Sequence, residues 1–522
     1  MRLQFLHPEM IGALQVNALS ADVLSVRLRH GLRHQSLLHV ASRVLMIART
    51  IVRETGSTMT NLPRLSLKDR GWLILAALLV TAGAFFSHHA SGLAEAVMGL
   101  SLSEMSTSGD WLVPTLGGAA WSDASPLMQW MAGLLLPLTG DPILALRASG
   151  LIGLILASLF TADLAAQCGG RRCGVLAGVV LLTTFGLAGD LVAGGHLIWL
   201  TAAATAVLRL LAGIESESRH SAARAVRPVS YESLFSARSG QVLALFLLAG
   251  VVSIAADVTS LVAVMFVPIG SWLLLRRREA ARKYIWLWGS LGFAAVAVAW
   301  PLAVSVRTNG TQYVWQWLEF SALTGWSPME QTVELLKCTL PWGLLIPVGL
   351  WATRHEALGD VNSRERLIWS QALFCPIAVL IIRPQHMHDC LAAAGAWSVL
   401  AAIGLEWLIN SVTLRLNLVD SDKVKAGARY AATGVSAMMA AVLVQSESRA
   451  RCDVSVRDIA SQVRDVSQDG AIVSISEATV PRGNRVLVTV RSTTSGESDV
   501  ASWDYANRPT QLAAEPGTVT RH

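Results

Sequence analysis

Apolar stretches of about 20 residues recur along most of the chain, and this feature restricts the fold more than any other. A stretch of that length crosses the hydrocarbon of a bilayer as a helix, which satisfies its own backbone where no water can. With 53% hydrophobic and 15% charged residues, such blocks are too frequent for one soluble core. They fall at 71–88, 143–167, 174–191, 195–213, 240–256, 258–275, 284–305, 333–352, 367–382, 390–409 and 426–444. The sequence thus predicts an all-α polytopic membrane protein of about eleven transmembrane helices.

Cytoplasmic loops carry the excess of lysine and arginine. With the N-terminus inside, the inside loops hold Arg171 and Arg172, Arg219 to Arg238, Arg276 to Lys283, Arg354 to Arg366, and Arg415 to Arg429. From His88 to Leu146 there is no basic residue except histidine, so the loop 89–142 is expected outside, as is the C-terminal region. The net charge of +6 is mainly this bias together with a basic N-terminus, and it does not point to nucleic acid. The expected location is the cytoplasmic (inner) membrane. The six cysteines match neither zinc-site spacing nor a disulfide framework.

Residues 1–70 are basic and open to three readings: an amphipathic helix on the anionic leaflet, a disordered tail, or sequence upstream of a start near Met59. Residues 71–445 form the transmembrane domain. From 446 to 505 the apolar residues thin out. Val456, Ile459, Val463 and Val466 recur at helical spacing, and "AIVSIS" and "RVLVTV" read as strands, which predicts a small extracytoplasmic α/β domain. Residues 506–522 read as a disordered tail.

The first outer loop carries the most specific motif: the tract Ser108, Gly109, Asp110, Trp111, Pro114, preceded by Glu104 and Met105 and followed by Pro126-Leu127 and Arg147. This segment resembles the first outer loop of type C glycosyltransferases, among them bacterial relatives of the protein mannosyltransferases and the lipid A aminoarabinose transferase. Further echoes are "VAWPLAVSV", "LKCTLPWGLLIPVGL" and "IIRPQHMHDCLAAAGAWSVLAAIGL". The resemblance implies amphipathic helices in the first loop. It also implies transfer of a sugar from a polyprenyl-phosphate-linked donor to a lipid, glycan or protein acceptor at the outer face.

Such a reaction needs a carboxylate to take the acceptor's proton and a cation to hold the leaving phosphate. Where the family carries an Asp-Glu pair, this chain has Ala94 and Glu95; where the family carries an acid and a lysine, it has Asp123 and Ala124. Glu95 and Asp123 are the candidate catalytic groups. His196 occupies the position of a family aspartate, with Asp190 nearby to replace it, and Glu319 stands in a later outer loop. In "RPQHMHDC", Arg383 can hold a phosphate, and His386, His388 and Asp389 with Asp123 can bind a divalent metal. Glu104 and Asp110 read as capping or pairing acids, and Trp111, Trp121 and Trp130 as interface anchors, with an aromatic wall for a sugar as the other reading. The partners implied are a polyprenyl-phosphate-linked sugar and membrane lipids. Two rivals stand beside the enzyme: a family member with lost chemistry that binds lipid-linked glycans, and a transporter.

Overall fold

The computed structural model describes residues 65–86, 93–121, 126–193, 195–224, 262–274, 290–308, 310, 328–359, 363–382, 387–415, 421–449, 472–480, 485–494, 497–506 and 520–521. The chain divides between residues 62 and 63, and every described residue belongs to the second unit. Asp123, Glu319, Arg383 and His386, the apolar block 240–256 and the valine-rich repeat 456–466 lie outside the described residues.

Helix α1 (Leu67–Thr81) starts in a capping box: the Ser66 hydroxyl accepts from the Asp69 amide while the Asp69 carboxylate accepts from the Ser66 amide. It is followed by α2 (Leu93–Ser108), the short strands β1 (Thr115–Leu116) and β2 (Ala119–Trp121), and α3 (Pro126–Thr139). Asp141 then caps α4 (Pro142–Leu182), accepting from the Ile143 and Leu144 amides, with Pro142 at the first helical position, where a missing N–H costs nothing. The remaining helices are α5 (Phe185–Ala193), α6 (His196–Arg224), α7 (Val267–Leu274), α8 (Ser290–Arg307), α9 (Pro328–Thr339), α10 (Ile346–Gly359), α11 (Arg364–Ile382), α12 (Ala394–Arg415) and α13 (Ser421–Arg449).

Although α4 has 41 residues, it is a hairpin. The Ser158 hydroxyl donates to the Gly178 carbonyl at 3.2 Å, whereas twenty residues of straight helix would separate them by about 30 Å. The turn is at Gly170, whose φ of 81° suits a residue without a Cβ. The two arms match the expected blocks 143–167 and 174–191, except that the second stops at Leu182 and resumes as α5. The block 333–352 also differs from expectation. It breaks into α9, a short 3-10 turn (Trp342–Leu345) and α10, because Pro341 has no N–H to continue the helix.

Among the described residues, four segments are long and apolar enough to cross a membrane: Pro142–Leu182, His196–Gly213, Arg364–Ile382 and His388–Thr413. They pack around one core, with α4 against α1, α3, α6 and α12, and α10 against α12.

Ion pairs and backbone contacts define the two ends of this bundle. At the first end, Arg171 in the α4 turn pairs with Asp69 at 2.6 Å, Asp163 meets Arg70 and Arg209, and Arg364 donates to the Gln167 carbonyl. The Arg171 guanidinium holds the Asp69 carboxyl well below the usual carboxylate range. At the second end lie the close of α1, the starts of α4 and α6, the α9–α10 junction and the segment before α12. There Phe185 donates to the Leu340 carbonyl, Trp342 to the Thr183 hydroxyl, and Thr201 to the Leu391 carbonyl.

The C-terminal strands β3 (Ile472–Val480), β4 (Arg485–Thr494) and β5 (Glu497–Ala506) form an antiparallel meander; β3 and β4 cover the two runs that read as strands, and β5 adds a third that the sequence reading did not include. Thr520 and Arg521, in the stretch expected to be a disordered tail, pair with β5 as β6. At its other edge β3 pairs in parallel with β2, matching Ala120 to Ile472 and Trp121 to Val473, so the first-loop hairpin and the C-terminal strands make one six-stranded sheet.

Candidate functional site

The candidate residues that are described all lie at the second end of the bundle, in two groups. The first is built by α2 and α4. Glu95, in the first turn of α2, is fully buried, and so is Arg147, in the second turn of α4. Arg147 donates from Nε to Glu95 Oε1 at 2.7 Å and from Nη2 to Oε2 at 2.8 Å, while Nη1 donates to the Ala84 carbonyl at 2.6 Å. The fork of the guanidinium fits this bidentate role, and the third bond ties the end of α1 into the same joint. The sequence marked both residues, Glu95 as a catalytic candidate and Arg147 as part of the loop motif, but not their pairing.

The first loop is assembled on the same helices. The Glu104 carboxylate accepts from the Gly117 amide at 2.7 Å and the Gly118 amide at 3.2 Å, so α2 holds the turn between β1 and β2. Asp110 accepts from the Leu112 amide and pairs with Arg307 of α8 at 3.1 Å. Both acids therefore cap and pair, as their positions suggest. Of the three tryptophans read as anchors, Trp121 is buried, whereas Trp111 and Trp130 are half-buried. Trp130 donates to the Trp111 carbonyl at 2.6 Å, and Trp300 of α8 donates to the Leu112 carbonyl. The indole N–H groups of Trp130 and Trp300 thus tie the loop to α3 and α8.

Gly133 in α3 makes room for Trp111: a Cβ there would lie 2.3 Å from the indole. Gly133→Ala is therefore expected to push the ring out and cost about 1–3 kcal/mol, the usual penalty for overpacking. Thermal unfolding together with a red shift of tryptophan emission would check this.

The second group is built where α5 meets α6. Asp190 is buried, and its Oδ2 accepts from the Ile198 amide at 2.9 Å, so it satisfies an N–H in the first turn of α6. Its Oδ1 lies 3.5 Å from His196 Nδ1. The corner is tight because Gly195, at φ 78°, passes close to Gly150 of α4, where a Cβ would come within 3.1 Å of the Gly150 Cα. His388, in the short 3-10 segment Met387–Ala393, is exposed, with its Nδ1 3.4 Å from the Cys338 sulfur at the end of α9. It is also within electrostatic reach of Asp190. Asp389 beside it is buried, within electrostatic reach of Cys375 and Cys390. The fold thus brings Asp190 and His196 together with His388, almost 200 residues further along the sequence. The contribution of Cys338 had no signal in cysteine spacing.

Of the residues expected to bind a metal, His388 and Asp389 are described. Among the described residues no group of three or more histidine, cysteine or acidic side chains is placed to hold an ion. His388 instead faces a thiol, and Asp389 is turned into the protein.

The helical bundle with its structured first loop is similar in fold to solved type C glycosyltransferases, the class that the first-loop motif resembles. ArnT from Cupriavidus metallidurans bound to undecaprenyl phosphate superposes with a TM-score of 0.55 at 16% identity, over 75% of this chain and 75% of that one. The same enzyme in the apo state gives 0.53 at 17% identity over the same shares. The apo oligosaccharyltransferase of Archaeoglobus fulgidus gives 0.51 at 13% identity, over 77% of this chain and 58% of that one. At these identities the likeness is one of fold. No protein-family model matches the sequence, and no curated protein matches it.

Proposed function

We propose that this protein is a membrane glycosyltransferase that moves a sugar from a polyprenyl-phosphate donor to an acceptor at the extracytoplasmic face of the cytoplasmic membrane. The observation that carries the reading is the placement of Asp190, His196 and His388 at the end of the bundle that also holds the first loop. The fold shared with ArnT, which binds undecaprenyl phosphate, supports the same class of donor. In this reading the second end of the bundle is the outer one, the arginine-rich first end faces the cytoplasm, and the C-terminal strands are extracytoplasmic.

The reaction breaks the bond between the anomeric carbon and the carrier phosphate and forms one to the acceptor oxygen. The acceptor's proton must go to a base, and the phosphate must leave on a cation. His196 is the described group best suited to take the proton: it is partly exposed and has a buried carboxylate at one ring nitrogen, which leaves the other for the acceptor. Glu95 is a positioning residue in this scheme, since both its oxygens already receive donors from Arg147. His388 lines the same end, and Arg383, His386 and Glu319 complete the proposed substrate-binding set, with Asp123 as the other catalytic carboxylate. A divalent ion on Asp123, His386, His388 and Asp389 is the alternative cation. Asp123 and His386 lie outside the described residues, and no step is assigned to the ion.

His196→Ala is expected to lower kcat about 100- to 1000-fold, as loss of a general base does, and Asp190→Asn by a smaller factor. Both are read from purified protein supplied with radiolabelled polyprenyl-phosphate sugars. One observation favours a second reading, a binding protein that has lost its chemistry: Ala94 stands at the family's aspartate position, and the adjacent Glu95 is locked to Arg147. Binding of undecaprenyl phosphate without transfer from any donor would decide for that reading.

A further inference from the structure

We infer that the C-terminal strands act as a built-in partner of the first outer loop, fixing its position by strand addition. The hairpin β1–β2 is only two and three residues per strand, and a pair that short is not stable alone. Two separate contacts hold it. On one side Glu104 of α2 binds the amides of its turn. On the other, β3 pairs in parallel with β2 in the register Ala120 to Ile472 and Trp121 to Val473. β3 is itself secured along its whole length by β4, and β4 by β5, so the short hairpin is stitched to the edge of a much larger sheet.

The contacts form a continuous path. From β3 it runs through β2 and the turn to Glu104, then along α2 to Glu95 in its first turn, and so to the Arg147 joint. About 350 residues of chain separate β2 from β3, so the C-terminal region is a component of the outer face and not an independent appendage. Parallel strand addition reads the backbone and not the side chains, which makes the partner a segment with free strand edges: the C-terminal sheet of this same chain. The positioning role rests on the glycosyltransferase reading above; the pairing does not.

Two measurements on the full-length protein test the inference. In an Ala120→Cys/Ile472→Cys double variant, mild oxidation is expected to form an intramolecular crosslink, detected by mass spectrometry. The out-of-register Ala120→Cys/Ser474→Cys variant should crosslink far less. Val473→Pro removes a ladder N–H from a strand that is paired on both sides. It is expected to raise KM for the polyprenyl-phosphate donor about three- to tenfold, the effect of losing one or two hydrogen bonds, with kcat nearly unchanged. Thr520→Pro, in the far strand, should leave KM unchanged. If the protein transfers no sugar, the same shift is sought in the Kd for undecaprenyl phosphate, followed by tryptophan fluorescence. Absence of the in-register crosslink overturns the pairing whether or not transfer occurs. An in-register crosslink with unaltered KM or Kd in Val473→Pro overturns the positioning role.

Discussion

Arg147→Met is expected to destabilise the purified protein by about 3–5 kcal/mol, the cost of removing one partner from a buried ion pair. The residue is fully buried and serves both Glu95 oxygens and the Ala84 carbonyl, so its loss withdraws these hydrogen bonds together and takes the paired cation from a fully buried carboxylate. Glu95→Gln should be milder, since an amide keeps one acceptor for the guanidinium. Arg147→Lys should fall between, because an ammonium cannot match the fork that spans the carboxylate. The informative comparison is the double variant Glu95→Met/Arg147→Met. With both charges gone, it is expected to recover much of the stability lost by Arg147→Met alone. Thermal unfolding in detergent, followed by intrinsic fluorescence, reads these four variants and the single variant Glu95→Met that completes the cycle. If the double variant is as unstable as the sum of its singles, the two side chains are not a coupled pair.

That pair also shows how far the sequence could be read. Glu95 and Arg147 stand out in it, but 52 residues separate them and no spacing rule connects positions on different helices across a long loop. The apolar blocks located most helices because a membrane span is a local property, set by length and composition. Their breaks were legible in part. Pro341 marks the division of 333–352, whereas the return of the chain at Thr183–Thr184 into α5 has no such marker. For the tryptophans of the first loop, residue type alone points to an interface. Their packing depends on α3 and α8, and on a glycine at 133 that only a folded loop gives meaning to. The clustering of Asp190, His196 and His388 follows from three helix ends meeting at one pole of the bundle. The addition of β3 to β2 is carried by backbone and leaves no residue signature. What the sequence missed is consistently tertiary: contacts that exist only once distant helix ends share a pole.

The second large effect is expected where α10 crosses α12, a contact made possible by two glycines. A Cβ on Gly349 would lie 2.0 Å from the Leu400 carbonyl oxygen and 2.6 Å from its carbon; one on Gly404 would lie 2.6 Å from the Leu345 carbonyl oxygen and 2.8 Å from the Gly349 nitrogen. These neighbours are backbone atoms inside helices and cannot swing aside as a side chain would. Gly349→Ala must therefore move the helices apart, opening the tightly packed crossing that small residues allow in a membrane. The expected loss exceeds the 1–3 kcal/mol usual for overpacking, and it should extend to the site. α10 continues from Trp342, which is bonded to Thr183, and α12 continues from the segment that carries His388. Gly427→Ala supplies the contrast: its Cβ would meet nothing within 4 Å, on an open face of α13, and should stabilise by about 0.5–1 kcal/mol through helix propensity. The check is the pair of unfolding midpoints in the same detergent. A Gly349→Ala protein that melts within a degree or two of the parent would mean that α10 and α12 do not approach this closely.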